Sequence, residues 1–115
     1  MKSTDIKNGM KVFINRKTTA PNNPYFATII QAGDTTSTVL LSGEKKERRY
    51  LNGDILAIDW NKFIGKYIEI TTKDHFIQGE VLTCSPQNAV TQLTIKTTSQ
   101  QEINVDIEDI KSIEY

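Results

Sequence analysis

The chain has 115 residues and is formally neutral, with 14 basic and 14 acidic side chains and 37% hydrophobic residues. That length suits one ordinary domain or two very small ones, and the composition is too apolar for an intrinsically disordered chain. No apolar run is long enough for a membrane helix, the start MKSTDIKNGM lacks a signal-peptide core, and a single cysteine with a single histidine leaves no internal disulfide and little for a transition metal, so a cytoplasmic protein without membrane, cofactor or metal is expected.

In chain order the sequence reads as short β-rich runs punctuated by turn residues, the grammar of a small barrel or sandwich. The turn signal Asn8-Gly9 precedes a strand over Met10 to Asn15, where Val12 and Ile14 share one side. Pro21-Asn22-Asn23-Pro24 closes a long loop, because proline removes a ladder donor and constrains the residue before it. Strands are expected at Tyr25 to Gln31, Ser37 to Leu41, Glu47 to Leu51 and Ile55 to Asp59, with turns at Ser42-Gly43-Glu44 and Asn52-Gly53. Trp60, Phe63 and Ile64 stand at i, i+3 and i+4, which predicts one or two helical turns capped by Asp59 and ended by Gly65. Five more strands follow at Tyr67 to Thr72, Phe76 to Thr83, Val90 to Thr98, Glu102 to Ile107 and Ile110 to Glu114. Lys73-Asp74, Ser85-Pro86-Gln87-Asn88 and Ser99-Gln100-Gln101 turn the chain between them.

The two halves rhyme and differ in charge. Asn52-Gly53-Asp54-Ile55-Leu56-Ala57-Ile58 resembles Ile107-Glu108-Asp109-Ile110-Lys111-Ser112-Ile113, each with Asp-Ile before a strand. Residues 1–59 hold nine basic and six acidic side chains, net +3, whereas residues 60–115 hold five and eight, net −3. Phosphate binding scales with the number of phosphates neutralised, so any nucleic-acid binding by this neutral chain has to be local.

The stretch Phe63-Ile64-Gly65-Lys66-Tyr67-Ile68-Glu69-Ile70, then Lys73-Asp74, then Ile77-Gln78-Gly79-Glu80-Val81, resembles the opening of Sm-like proteins. The strand glycine has a physical role there, letting a bent strand pass close to its neighbour. The resemblance implies the fold but not the RNA site: Ser85 stands near the acidic position of that site, Asn88 is one place off, and Glu108 to Ile113 has no Arg-Gly pair. The same half is similar to the Rho-binding antiterminator family, through Ile68-Glu69-Ile70, Ile77-Gln78, the Leu93 to Lys96 strand and a close of the Asp-x-x-Ile type near the C-terminus, with spacings that differ by one or two residues. That likeness implies a protein partner in the transcription machinery. Arg48-Arg49-Tyr50-Leu51 and Gly53-Asp54-Ile55-Leu56 resemble the fourth strand and helical turn of Tudor and SH3-like domains, although Val39-Leu40-Leu41 carries no aromatic for a methyl-lysine cage. The expected fold is all-β: two tandem SH3-like barrels of five strands each, Tudor-like over 1–59 and Sm-like over 60–115, with a short helical turn between them.

Three constellations could carry function. Lys45, Lys46, Arg48 and Arg49 beside Tyr50 form a basic hairpin that could clamp a phosphate backbone and stack a base, and equally a solvated turn whose charges blunt an edge. Tyr25, Phe26, Tyr50 and Trp60 could line a groove, and equally form core, with Trp60 as the plug between barrels. Glu102, Asp106 and Glu108, with Tyr25 and Phe26, are the candidates for meeting a protein partner with a basic surface. His75 and Cys84 lack the remaining groups of a catalytic site, and the adjacent Glu108 and Asp109 point to opposite faces of an extended chain. The expectation is a non-enzymatic regulatory or adaptor protein that binds another protein. RNA or single-stranded nucleic-acid binding through residues 45–50 is the alternative, and a structural subunit of a phage or mobile-element assembly is the second.

Overall fold

A computed structural model describes residues 1–15, 24–86 and 89–115. Ten strands are present in the described residues: β1 (Lys11–Ile14), β2 (Tyr25–Gln31), β3 (Thr36–Leu41), β4 (Arg48–Leu51), β5 (Ile55–Ala57), β6 (Tyr67–Thr72), β7 (Phe76–Ser85), β8 (Gln92–Thr97), β9 (Glu102–Asp106) and β10 (Ile110–Glu114). The structure is all-β, with two five-stranded antiparallel sheets in the orders β4-β3-β2-β1-β5 and β10-β6-β7-β8-β9. Neither sheet closes on itself. Two compact units contain them, Met1–Ile58 and Asp59–Tyr115.

In both units the five strands follow one order, fourth-third-second-first-fifth, when each unit is numbered from its own start. The hydrogen bonds repeat as well. Gly9 N–H donates to Ile29 O (2.7 Å) and Ile29 N–H to Met10 O (2.8 Å), as Gly65 donates to Val81 (2.8 Å) and Val81 to Lys66 (3.0 Å). Gly9 and Gly65 hold φ of +83° and +84°, a left-handed conformation that glycine adopts without a Cβ penalty. Asn52 N–H donates to Thr35 O and Ile107 N–H to Thr91 O, both at 2.9 Å, which ties each 3-10 turn to the entry of the third strand of its sheet. The rhyming segments occupy these equivalent places: Asn52–Asp54 and Ile107–Asp109 are 3-10 turns, and Ile55 and Ile110 open the fifth strands fully buried. The second strand of each sheet also bulges against the third, between Ile29 and Gln31 and between Val81 and Thr83.

Period-two alternation sets the core. In the first unit Ile6, Val12, Ile14, Ala27, Ile29, Val39, Leu41 and Ile55 form one buried cluster. In the second, Ile68 and Ile70 of β6, Val81 and Cys84 of β7, Leu93 and Ile95 of β8, Val105 of β9 and Ile110 and Ile113 of β10 are buried. The only buried polar side chains among the described residues, Ser37 and Asn52, are bonded to each other: Ser37 Oγ donates to Asn52 Oδ1 at 2.7 Å. Asn52 Nδ2 donates to the carbonyls of Gly33 (2.9 Å) and Asp34 (3.2 Å), and Gly33 N–H donates to Ser37 Oγ (3.2 Å). Asn52 thus staples the turn before β3 to the turn before β5, a role beyond the simple turn expected of Asn52-Gly53.

The expected helical turn differs in pitch. Trp60–Phe63 is a 3-10 turn whose Trp60 and Phe63 are buried with ring centroids 5.9 Å apart, while Ile64 is 43% exposed. With three residues per turn, i and i+3 eclipse and i+4 rotates away, so the i, i+3, i+4 stripe of an α-helix does not form. Asp59 makes no side-chain cap; its backbone carbonyl instead accepts from Lys62 N–H at 3.1 Å. Gly65 does end the turn with its positive φ. Ser85, expected in a turn, continues β7 and pairs with Gln92, and β8 is shorter than the Val90 to Thr98 strand expected. The Pro21-Asn22-Asn23 loop, Arg16 and the Gln87-Asn88 turn lie outside the described residues.

Candidate functional site

The outward face of β8 and β9 carries an array of paired polar side chains. In register, Gln92 faces Asp106, Thr94 faces Asn104 and Lys96 faces Glu102. Gln92 Nε2 donates to Asp106 Oδ1 and Thr94 Oγ1 to Asn104 Oδ1, both at 2.8 Å. Glu102, Asn104 and Asp106 alternate with Ile103 and the buried Val105, and successive outward residues stand about 7 Å apart along the strand. Glu108, on the 3-10 turn that follows, is exposed too. The three carboxylates named from the sequence therefore gather on one strand and its turn. β9 is an edge strand, and Lys96 of β8 sits between Glu80 and Glu102 in register.

Beside Lys96 lies a concavity of about 320 Å³ lined by Tyr67, Gly79, Glu80, Lys96, Thr98 and Gln100 among others. Gly79 is buried in β7 opposite Ile68, and an added Cβ there would collide with the Lys96 carbonyl oxygen and stand 2.7 Å from Ile95 Cγ2. The close strand approach expected of this glycine is thus present. Tyr67, exposed at the rim, was not singled out by sequence reasoning; its signal was a tyrosine at an outward strand position directly before buried Ile68.

The basic hairpin is divided by the sheet. Lys45 and Lys46 are exposed in the turn between β3 and β4. Arg48 is gripped by Glu44 through two hydrogen bonds, Nε to Oε2 and Nη2 to Oε1, each 2.8 Å. Those bonds and the carboxylate charge hold the Arg48 guanidinium above its ordinary pKa. Arg48 and Tyr50 pair with Val39 and Ser37, on the core side of β3, whereas Arg49 pairs with Thr38 and points to the other face. Tyr50 is half-buried against the first core. The geometry puts Arg48 and Arg49 on opposite faces of β4 and leaves Tyr50 less ring surface for stacking.

Tyr25 and Phe26 are consecutive in β2 and therefore face opposite sides of the sheet. Tyr25 pairs with Ile14 and is exposed, while Phe26 is buried edge-on to Phe13, ring centroids 6.3 Å apart. They do not line one groove together. His75 directly precedes β7 and Cys84 lies near its far end, about 30 Å away along extended chain, so they form no dyad. Cys84 is buried with Sγ 3.3 Å from the Trp60 carbonyl oxygen, to which it donates. Burial, and secondarily the charge of Asp59, push its thiol pKa up. Native alkylation of Cys84 should accordingly be at least about a hundredfold slower than in denaturant, its rate following opening of the second unit. A native alkylation rate equal to the unfolded one, followed by the mass added to the chain, would place the thiol at the surface.

No group of three or more potential metal-ligating side chains and no helix long and apolar enough to cross a membrane occur among the described residues. No protein-family model matches the chain, and no curated protein matches it.

Proposed function

We propose that the chain is a non-catalytic cytoplasmic adaptor of two tandem SH3-like domains, the first Tudor-like and the second Sm-like, that binds a partner protein with a basic surface through Glu102, Asp106 and Glu108. The observation carrying this reading is the placement of all three carboxylates, exposed, on one edge strand and its adjoining turn. The recurrence of strand order, glycine conformation and 3-10 turn in both units supports the tandem assignment. A regulator of transcription is the class the resemblance to Rho-binding proteins implies.

The nucleic-acid reading rests on Lys45 and Lys46, with Arg48 already bonded to Glu44. Clustered carboxylates act mainly on encounter, so the test is kinetic. With an octapeptide alternating lysine and valine as the probe, Glu102→Gln, Asp106→Asn and Glu108→Gln together should lower the association rate several-fold, and added salt should do the same to the unaltered chain. Folding should be unaffected, since exposed carboxylates add little stability. Association indifferent to both changes would remove the acidic face from the mechanism.

A further inference from the structure

The free edge of β9 has a defined set of unpaired backbone groups. At the two ends of the β8–β9 ladder, Thr97 N–H donates to Gln101 O (2.8 Å) and Ile107 N–H donates to Thr91 O (2.9 Å). Between them the register is Lys96–Glu102, Ile95–Ile103, Thr94–Asn104, Leu93–Val105 and Gln92–Asp106. Hydrogen-bonded and non-bonded pairs alternate in an antiparallel ladder, so Ile103 and Val105 spend their N–H and C=O groups on β8. Those of Glu102, Asn104 and Asp106 point away from it. β9 ends the sheet, and the N–H groups of all three residues and the carbonyls of Glu102 and Asn104 have no backbone partner among the described residues, while the Asp106 carbonyl caps the 3-10 turn Ile107–Asp109. The same three residues carry the outward side chains, exposed, while Ile103 on the inward side is half-buried.

From this coincidence we infer that β9 takes an extended partner segment as a sixth strand, one alternating basic and apolar residues. This rests on the reading of the acidic face above and adds the manner of binding to it. Backbone bonds to Glu102, Asn104 and Asp106 supply the affinity of the added strand, and alternate side chains supply its specificity. Basic residues of the segment meet Glu102 and Asp106, about 13 Å apart along the strand, and apolar ones extend the sheet's inner face past Ile103. The same carboxylates oppose pairing of β9 with the β9 of a second copy, since like charges directly opposite are unfavourable.

The experiment uses the full chain and the blocked lysine–valine octapeptide. Binding is expected to protect the amides of Glu102, Asn104 and Asp106 from hydrogen exchange while leaving those of Ile103 and Val105 unchanged. Methylating the peptide's alternate backbone nitrogens, on the register that faces β9, should weaken binding about tenfold or more. Asn104→Pro should do likewise, its N–H being unused within the fold. Retained binding with methylated peptide, whether or not the proline variant folds, overturns strand addition; if that binding is still lost on neutralising the three carboxylates, the acidic-face reading survives. Binding weakened neither by methylation nor by neutralisation overturns both. Absence of binding at millimolar peptide also overturns the inference. So does a self-association of the chain alone that Asn104→Pro abolishes, which would give the edge to a second copy.

Discussion

Gly79→Ala is expected to lower the melting temperature of the second unit by about 8–15 °C, and Gly79→Val to unfold it. An added Cβ at this position meets the carbonyl oxygen of Lys96, with the Lys96 carbonyl carbon at 2.8 Å and Ile95 Cγ2 at 2.7 Å. Two of these atoms are backbone, so no rotamer change relieves the collision. Moving β8 away would break the ladder at Gly79–Thr97 and Glu80–Lys96, and moving β7 would disturb Ile68 opposite Gly79 on β6. Overpacking of this kind costs roughly 1–3 kcal/mol for one small group and more for a branched one. A small unit has only a few kcal/mol to lose, and about 2 kcal/mol corresponds to the stated shift. Trp60 is buried in this unit, so its fluorescence reports the transition directly. Hydrogen exchange should place the lost protection within Asp59–Tyr115. An alanine variant melting within about 2 °C of the unaltered chain would show that the strands are not in close approach there.

Asn52→Ala should destabilise the first unit by about 3 kcal/mol. The substitution strips a partner from the Ser37 hydroxyl and from the carbonyls of Gly33 and Asp34, in a site where Ser37 is 1% and Asn52 6% exposed. Leaving buried polar groups unpaired costs roughly 1–3 kcal/mol each, with some relief where water reaches the edge of the site. Ser37→Ala should cost about 2 kcal/mol, since Gly33 N–H and Asn52 Oδ1 both lose a partner. The two losses should not add: with one partner gone the other has less left to break, and a double-mutant cycle should give a coupling of about 1 kcal/mol. Gly53→Ala is the control, because an added Cβ there meets nothing within 4 Å, and its effect should stay within about 0.5 kcal/mol. Denaturant midpoints that rank Gly53→Ala with Asn52→Ala would show that the turn's backbone, and not the amide network, holds this corner.

Strand content, strand number and the faces of most strands were legible in the sequence. The runs Lys11-Val12-Phe13-Ile14-Asn15 and Ile68-Glu69-Ile70 state locally which side is apolar, whereas Val39-Leu40-Leu41 is apolar throughout and only the sheet puts Val39 and Leu41 in the core. The two Asp-Ile segments likewise occupy equivalent places in the two sheets, each at a 3-10 turn that opens the fifth strand. The acidic candidates Glu102 and Asp106 came out on one face because residues an even number apart in a regular strand do so. What lies across the chain was not legible. The Ser37–Asn52 bond spans 15 residues, and the Cys84–Trp60 bond spans 24. Local periodicity carries no information on register, which is set by which apolar faces meet and how the loops close. For the same reason only the β8–β9 register shows that Glu102, Asn104 and Asp106 turn their backbone groups outward, because hydrogen-bond parity belongs to a pair of strands and not to one. The choice of a 3-10 over an α turn at Trp60–Phe63 was tertiary as well: Trp60 and Phe63 satisfy both patterns, and burial of those two rings, with Ile64 left exposed, decided between them.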